Sequence, residues 1–351
     1  MQYLDRQEII MSKLVENYVE TSLPVSSNQL VDNIGINVSS ATIRNDLMKL
    51  EQEGYVQHLH TSSGRVPTDK GYRLYVDKLM FFSEVPNEEK VVIQDAVSSV
   101  YSSINSLLLT TAEILSDLSE YPVIIVTESF KQNTIKFVQV VLLNMHQIMV
   151  SMLDNYGDYY QEIMSLPHDT VVSQQELNKI SEYLNNICGD CPVASLEELY
   201  SQSFGELTAR FSSYTEVLRQ ISKVFERGKS LLSNNKVINK TSNKLFLQPE
   251  FQKIGALKNV HSVLEDEAKI VKLFSDIVLE SNGDIKALIG KENRTNGLED
   301  ASFVAGKVAI GEKDVVGVGV LGPTRMKYGK VFAQLKNVMK SLDDKVKKIF
   351  I

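Results

Sequence analysis

The sequence is poor in several residue types that mark particular classes of protein. It has no tryptophan, two cysteines and eight prolines among 351 residues. Two cysteines cannot form the disulfide framework of a small secreted protein. No apolar run approaches the roughly 18 residues that a membrane-spanning helix needs, and Asp5, Arg6 and Glu8 exclude a signal peptide at the N-terminus. These absences predict a cytoplasmic protein that binds no membrane.

The charge balance argues against a broadly basic surface for nucleic acid. The formal net charge is −7, and residues 1–80 hold more acidic than basic side chains. Most of the basic residues of this region lie between Arg44 and Lys78, so the positive charge is local. A prediction of DNA binding therefore depends on where a few basic side chains are placed and not on bulk charge.

The motifs of the common enzyme classes are absent from the sequence. It has no Gly-rich dinucleotide loop after a strand, no P-loop, no metalloprotease helix motif and no nucleophile elbow. Segment 322–325 (GPTR) is more typical of a strand-to-helix turn than of a phosphate cradle, and His58 and His60 are more typical of a hairpin surface than of a metal site. We expect no catalysis, no cofactor and no metal.

Cys188 and Cys191 form a lone Cys-x-x-Cys pair in the segment CGDCP. One pair supplies two ligands, whereas a structural zinc site needs four. The surrounding pattern is not that of a thioredoxin-like redox motif. We therefore expect two inert thiols, with a metal site shared across a dimer and a redox pair as the alternatives.

Residues 39–54 predict one amphipathic helix. Ser39 or Ser40 can cap its N-terminus, and Gly54 supplies a stop. The opposite side from the buried stripe is polar, and side chains of this kind suit base edges and phosphates in a major groove. The stripe itself has the i, i+4, i+7 spacing of a helix face and consists of Ile43, Leu47 and Leu50.

A shorter helix precedes this one, and a hairpin follows it. Ser26 or Ser27 can cap the shorter helix. Residues 55–60 alternate toward a Thr-Ser-Ser-Gly turn, and Arg65 comes directly after that turn. Two helices joined by a tight turn, with a hairpin that carries a basic residue, predict a winged helix-turn-helix. A small α+β subdomain without a ligand is the alternative that the pattern leaves open.

The rest of the chain predicts helices around two groups of strands. The expected elements are a long helix over 91–118, strands at 123–126, 134–143, 147–153 and 159–166, and helical pieces from about 173 to 232. A short strand at 245–247, a helix over 255–279, strands at 285–289, 303–310 and 315–321, and a final helix over 328–350 follow. Strands on both sides of a helical block predict an insertion into an α/β domain.

Four stretches of the sequence resemble known bacterial repressors. Residues 39–47 (SSATIRNDL) look like the recognition helix shared by several winged-helix repressors. Residues 60–73 (HTSSGRVPTDKGYR) resemble the narrower HrcA family, the heat-inducible repressors of bacterial chaperone genes. Residues 289–293 (IGKEN) and 322–326 (GPTRM) match the same family in the same order. The resemblance therefore extends over essentially the whole chain.

The resemblance implies an α+β, multidomain fold. The family has an N-terminal winged helix-turn-helix, a GAF-like α/β domain, and a mostly helical dimerisation domain inserted into the GAF-like domain. On this sequence we expect the winged helix at 1–85, the discontinuous GAF-like domain at 86–150 and 255–351, and the inserted domain at 151–254.

The resemblance also implies a function. It implies a homodimer that binds an inverted-repeat operator in double-stranded DNA upstream of chaperone operons, is kept active by the GroEL chaperonin, and loses activity on heat stress. A metabolite-sensing winged-helix regulator with a ligand site in the GAF-like domain is the alternative, although the strand residues are mostly aliphatic. We expect Arg44 or Asn45 to read bases, and Lys49 and Arg65 to contact phosphates or the minor groove. The expected DNA contacts are Ser26, Ser27, Ser39, Ser40, Thr42, Arg44, Asn45, Lys49, His60, Ser63 and Arg65.

Overall fold

The computed structural model describes residues 5–34, 38–59, 64–81, 84–100, 103–127, 133–167, 170–233, 236–239, 241–252, 254–278, 284–310 and 314–349. Two of the expected DNA contacts, His60 and Ser63, lie outside these residues, as does the turn at 35–37. The helices are α1 (Arg6–Thr21), α2 (Ser27–Asn33), α3 (Ser40–Gln52), α4 (Asp69–Leu74), α5 (Asn87–Ser99), α6 (Ile104–Ser119), α7 (Gln174–Cys188), α8 (Leu196–Arg210), α9 (Thr215–Ser233), α10 (Ile254–Leu264), α11 (Glu267–Val278) and α12 (Tyr328–Ile349). The strands are β1 (Val56–His58), β2 (Arg65–Pro67), β3 (Val123–Thr127), β4 (Ile135–Asn144), β5 (Gln147–Asp154), β6 (Tyr159–Ser165), β7 (Lys236–Ile238), β8 (Lys286–Ile289), β9 (Ala301–Ile310) and β10 (Asp314–Pro323).

Helices α1 to α4 and strands β1 and β2 form a winged helix-turn-helix, as the sequence predicts. Helix α3 is capped by Ser39, and Gly54, just beyond its end, has a φ of +80°, a left-handed conformation that glycine adopts at low cost. Strands β1 and β2 pair antiparallel as the wing hairpin. Ile43, Leu47 and Leu50 are buried, so the apolar stripe of α3 faces the core.

A five-stranded antiparallel sheet in the order β7-β3-β10-β9-β8 forms the central body. Alternate residues of a strand face opposite sides of a sheet. In β3, Val123 and Ile125 join the hydrophobic cluster of α5, α6 and α12, whereas Ile124 and Val126 join that of α10 and α11. Helices cover both faces, which explains why β3 is a continuous apolar run.

Gly317 in β10 allows α11 to lie directly on the sheet. A Cβ at this position would be 2.5 Å from a ring carbon of Phe274, closer than packed carbon atoms approach. Phe274 also packs edge-on against Phe303 of β9, with the ring centroids 5.0 Å apart. Aromatic side chains therefore fill the space between the sheet and α11.

A second antiparallel sheet, in the order β4-β5-β6, packs against α7, α8 and α9. Their buried side chains form one hydrophobic cluster that runs from Ile135 to Leu232. The sequence-based boundary between residues 150 and 151 falls inside β5, which pairs with β4 on one side and with β6 on the other. The boundary at 254 also assigns β7 to the insertion, although β7 pairs with β3 of the central sheet. Strands that share a ladder belong to one unit, so this compact unit spans about 133–233.

Three of the expected elements differ in the structure, and strand β7 was not expected at all. Residues 91–118 form two helices, because Ser103 caps a new helix by accepting a hydrogen bond from the Ser106 N–H at 3.1 Å. The single helix expected over 255–279 is replaced by two, α10 and α11, and Asp266 caps the second by accepting from the Lys269 N–H at 3.2 Å. Residues 245–247 lie in a 3-10 turn and not in a strand. Apolar periodicity continues across both caps, so it does not reveal the breaks.

The winged helix shares a hydrophobic core with the central body. One cluster contains Ile10 and Leu14 of α1, Tyr72 of α4, and Val331 and Leu335 of α12. The rings of Tyr72 and Tyr328 contact each other, with centroids 6.0 Å apart. The orientation of helix α3 is therefore defined relative to the central sheet.

Candidate nucleic-acid interface

Helix α3 presents a polar face to solvent. Arg44, Asn45 and Lys49 are exposed, whereas the apolar stripe on the other side of the helix is buried. Within the described part of the chain, the side chains of these three residues take part in no hydrogen bond or ion pair. Guanidinium, carboxamide and ammonium groups in this state are free to bind base edges and phosphates.

An ion pair between α1 and a buried carboxylate supports the orientation of α3. Arg6 of α1 donates from Nε to Asp46 Oδ2 at 2.6 Å and from Nη2 to Oδ1 at 3.1 Å. The side chain of Asp46 is only 2% exposed, and the hydrogen bond from Arg6 holds the pKa of this carboxyl below its ordinary value. Because Asp46 faces inward, its neighbours Arg44 and Asn45 face outward. Asp46 lies three residues after Ile43 and four before Leu50, so helical periodicity puts it on the buried side, but its partner lies 40 residues away and is not visible in the pattern.

A hydroxyl network joins α2 to α3. Ser40 donates from Oγ to Asn28 Oδ1 at 2.6 Å, and the hydroxyls of Ser27 and Ser40 are 3.1 Å apart. These bonds hold the two helices in the helix-turn-helix arrangement. Ser40 lies at the centre of this network, and its acceptor Asn28 was not selected by the sequence analysis.

Two more of the expected contacts, Ser26 and Ser39, act as helix caps. Ser26 accepts from the Gln29 N–H at 3.4 Å and caps α2. Ser39 accepts from the Thr42 N–H at 3.2 Å and caps α3, and its hydroxyl lies 2.9 Å from that of Thr42. Their side chains satisfy backbone groups that a helix start leaves unpaired, so the structure uses them first as local supports.

Arg65 is held at the base of the wing. Its Nη2 donates to Glu51 Oε2 at 2.9 Å, and its side chain is 15% exposed. Its backbone exchanges two hydrogen bonds of 2.9 Å with Val25, and a Cβ on the preceding Gly64 would lie 2.5 Å from the Val25 carbonyl carbon. The structure therefore turns the Arg65 guanidinium back toward the end of α3.

Ion pairs neutralise carboxylates of α3, so an acidic region can still offer a local site for an anion. Two carboxylates of α3, Asp46 and Glu51, are paired with Arg6 and Arg65. The charges that α3 itself leaves on its outer face are then those of Arg44 and Lys49. The net charge does not show where the basic side chains lie. The placement of Arg44 and Lys49 on one face favours contact with a phosphate backbone.

Two clefts among the described residues are small. One cleft of 220 Å³ lies between α1 and the start of α12, beside Val19, Tyr75 and Tyr328. Another of 220 Å³ is bordered by Val85 and Gln334. Drug-sized ligands generally occupy about 300–1,000 Å³. In the same residues we find no cluster of His, Cys, Asp and Glu arranged to hold a metal, and no helix with the length and apolarity to cross a bilayer.

Comparison with known proteins gives consistent matches along the chain. The family model described as the C-terminal domain of the HrcA protein matches residues 105–332. The heat-inducible transcription repressor HrcA of Brevibacillus brevis is 30% identical over 339 residues, which cover 96% of this chain and 96% of that protein. A crystal structure described as a hypothetical protein is 22% identical, covers 99% of this chain and 100% of its own, and has a TM-score of 0.70. At that identity the structure supports the fold alone.

Proposed function

The chain belongs to the HrcA family of heat-inducible transcription repressors, and we propose that it represses transcription in the cytoplasm by binding, as a homodimer, an inverted-repeat operator upstream of chaperone operons. The observation that supports this most is the outer face of α3, where Arg44, Asn45 and Lys49 are exposed without a partner in the described structure. A helix with such a face fits the major groove of B-DNA.

The three side chains have different roles in this proposal. Arg44 and Asn45 read bases, because a guanidinium suits guanine and a carboxamide suits adenine, and one good bidentate pair discriminates by about 1–3 kcal/mol. Lys49 binds a phosphate, which contributes affinity without sequence information. Arg65 contributes less, since its guanidinium is shared with Glu51. Contact with phosphates is a secondary role for the hydroxyls of the capping residues Ser26 and Ser39.

The homodimer explains how a short helix acquires specificity. One recognition helix reads a few base pairs, whereas two helices related by a two-fold axis match an inverted repeat. The proposed division of labour is DNA binding by residues up to about 81, a GAF-like body at 84–127 and 236–349, and dimerisation by the inserted unit at 133–233.

The outer face of the β4-β5-β6 sheet is the proposed dimer interface. Cross-strand pairing arranges this face in three rows, which are Phe137-Leu153-Tyr159, Gln139-Ser151-Gln161 and Val141-Met149-Ile163. Several of these apolar side chains are exposed, with Tyr159 at 70% and Ile163 at 59%. A solvated sheet face is normally polar, whereas interface cores lack charge and are rich in aromatic residues and Met. None of the nine side chains is charged.

The order of these rows suits a second copy of the same chain. Apolar rows flank a polar row, so a two-fold axis through the central Ser151 would place each apolar row of one protomer on an apolar row of its partner. An isologous interface requires self-complementarity of this kind.

Chaperonin dependence has support in the topology. Strand β3 pairs with β10, and the whole unit at 133–233 lies between them in the chain. Pairing across such a distance is slow, and apolar surface stays exposed until it forms. We propose that GroEL maintains the folded, dimeric fraction of the protein, and that heat stress lowers this fraction.

Selection of bound sequences from a random DNA pool tests the proposed function. The expected product is an inverted repeat whose half-sites are separated by a whole number of helical turns. A pool without a recovered repeat, despite full-length folded protein, would contradict sequence-specific repression.

A further inference from the structure

Two arginines fasten the winged helix to the central body. Arg73 lies in α4 and reaches the turn after β8, and Arg325 lies after β10 and reaches α1. Neither belongs to the exposed face of α3. Both side chains form ion pairs with carboxylates of the central body, Glu292 and Glu250.

The guanidinium of Arg73 makes a bidentate contact with a carboxylate whose orientation is fixed. Arg73 donates from Nε to Glu292 Oε1 at 2.9 Å and from Nη2 to Glu292 Oε2 and to the Ala287 carbonyl, the last at 2.6 Å. Glu292 is itself oriented, because its Oε2 accepts from the Ile289 N–H at 2.9 Å. A bidentate contact between a guanidinium and a carboxylate fixes the direction from which the two groups approach each other as well as the distance between them.

A second contact of α4 lies beside this bidentate contact. Asp69 accepts from the backbone N–H of Lys291 at 3.1 Å. The neighbouring Gly290 has a φ of +53°, and a Cβ there would lie 2.5 Å from the Asp69 carboxyl carbon. Glycine is thus required for the turn to approach α4 so closely.

The Arg325 attachment caps a helix of the winged domain. Arg325 donates from Nη1 to the Val19 carbonyl at 3.2 Å and from Nη2 to Glu250 Oε2 at 3.2 Å. The last four carbonyls of a helix have no intrahelical partner, and α1 has no basic residue in its last turn. Arg325 supplies that positive charge from the central body, and its side chain is 12% exposed.

An aromatic contact connects the same two bodies. Tyr72, the neighbour of Arg73, packs on Tyr328 at the start of α12. Tyr328 is fixed by its hydroxyl, which donates to the Thr324 carbonyl at 2.7 Å and lies 2.7 Å from Ser302 Oγ. The winged helix is therefore held through α1 and through α4, and not only by the connecting segment at 80–86.

On the basis of the proposed function, we propose that Arg73 and Arg325 are positioning residues that set which half-site spacing the dimer accepts. The orientation of each winged helix on its own body determines the distance and angle between the two recognition helices. B-DNA presents the same face about every 10.5 base pairs. A winged helix that rotates on its body reaches half-sites at several spacings, whereas one that is fixed on its body accepts few.

Binding to spacing variants of the selected operator tests this role. The probes are the selected operator, the same half-sites separated by about five additional base pairs, which is half a turn, and a duplex with a single half-site. The proteins are the wild type, the double variant Arg73→Gln/Arg325→Gln, and the control Lys244→Gln, which removes an ion pair with Asp117 inside the central body. Circular dichroism confirms that each variant is folded.

The wild type and the control should prefer the selected spacing by about 30-fold or more, and the double variant by about threefold or less, with half-site binding changed by less than about twofold. The charge swap Arg73→Glu/Glu292→Arg should restore most of the preference that Arg73→Glu alone removes. A double variant that keeps the full preference overturns the inference. A double variant whose half-site binding falls by the same factor as its operator binding also overturns the inference, because its defect is then in the fold of the winged helix. A wild type that selects no repeat overturns the proposed function instead.

Discussion

Asp46 of α3 and Arg6 of α1 form a two-point ion pair, with Nε 2.6 Å from Oδ2 and Nη2 3.1 Å from Oδ1. Helical spacing places Asp46 on the buried side of α3 beside Leu47, and the pair compensates its charge there, while Asn45 is exposed. The burial of an acidic side chain on α3 thus depends on a residue outside the helix-turn-helix.

The pair makes stability depend on pH in a defined direction. Arg6 lowers the pKa of Asp46 below its ordinary value of 3.8. A carboxyl whose pKa is lowered by folding stabilises the protein above the unfolded pKa, and that stabilisation is lost as the pH falls through the folded pKa. Between about pH 4 and pH 2, urea unfolding should show a steeper loss of stability in the wild type than in Asp46→Asn. The exposed Asp95→Asn is the control. Parallel curves for wild type and Asp46→Asn would contradict the assignment.

The Tyr72 hydroxyl is buried without a hydrogen-bond partner among the described residues, and burial raises the pKa of this group. Tyr72→Phe removes a polar group that folding leaves unpaired, so the free energy of unfolding should stay equal or rise by up to about 1 kcal/mol. Tyr328→Phe is the matched control. It loses the hydrogen bonds to Ser302 and Thr324 and should be less stable by about 1–2 kcal/mol. Chemical denaturation measures the free energy of unfolding of both variants, and equal losses of stability would contradict this prediction.

A charge on the outer face of β6 should disrupt the dimer. Ile163→Glu buries a carboxylate in the proposed interface and should weaken dimerisation by about 2 kcal/mol or more, roughly 30-fold. Val92→Glu, at a similarly exposed apolar position on α5, should remain dimeric. Sedimentation equilibrium distinguishes the two. If Ile163→Glu and wild type dimerise equally, the interface lies on another surface.

Heating tests the sensing step. Mild heating of the purified protein should remove operator binding, and GroEL with its co-chaperonin and ATP should restore it, because refolding then competes better with aggregation. Binding is measured by fluorescence anisotropy before and after treatment, with GroEL lacking ATP as the control. Recovery that is identical without the chaperonin, together with release from DNA by a metabolite, would favour a ligand sensor.

The sequence predicted the elements whose signals are local. Helix α3 follows from a cap, an apolar stripe and Gly54, and the wing from a short alternating segment on each side of a Gly turn. The continuous apolar run at 123–126 predicted a strand, which is β3. These signals depend on neighbours within a few residues, where helix and strand periods are visible.

The parts that the sequence did not predict depend on distant partners. The Arg73 and Glu292 side chains meet across 219 residues, and no periodicity reports such a pair. The limits of the inserted unit depend on which strands share a ladder, which is a property of the folded chain. The pairing of Arg65 with Glu51 also changed the expected role of Arg65, because a basic side chain that follows a turn can point inward as well as outward.

Titration of the selected operator and of random DNA at several salt concentrations tests the central claim most directly, with the wild type, Arg44→Ala and Lys49→Ala compared. Loss of a base-reading side chain should cost Arg44→Ala about 1–3 kcal/mol on the operator and little on random DNA. Loss of a phosphate contact should weaken Lys49→Ala on both DNAs and reduce the salt slope by about 1 per half-site. If Arg44→Ala binds the operator as tightly as the wild type and with the same preference over random DNA, the outer face of α3 is not the surface that reads the operator.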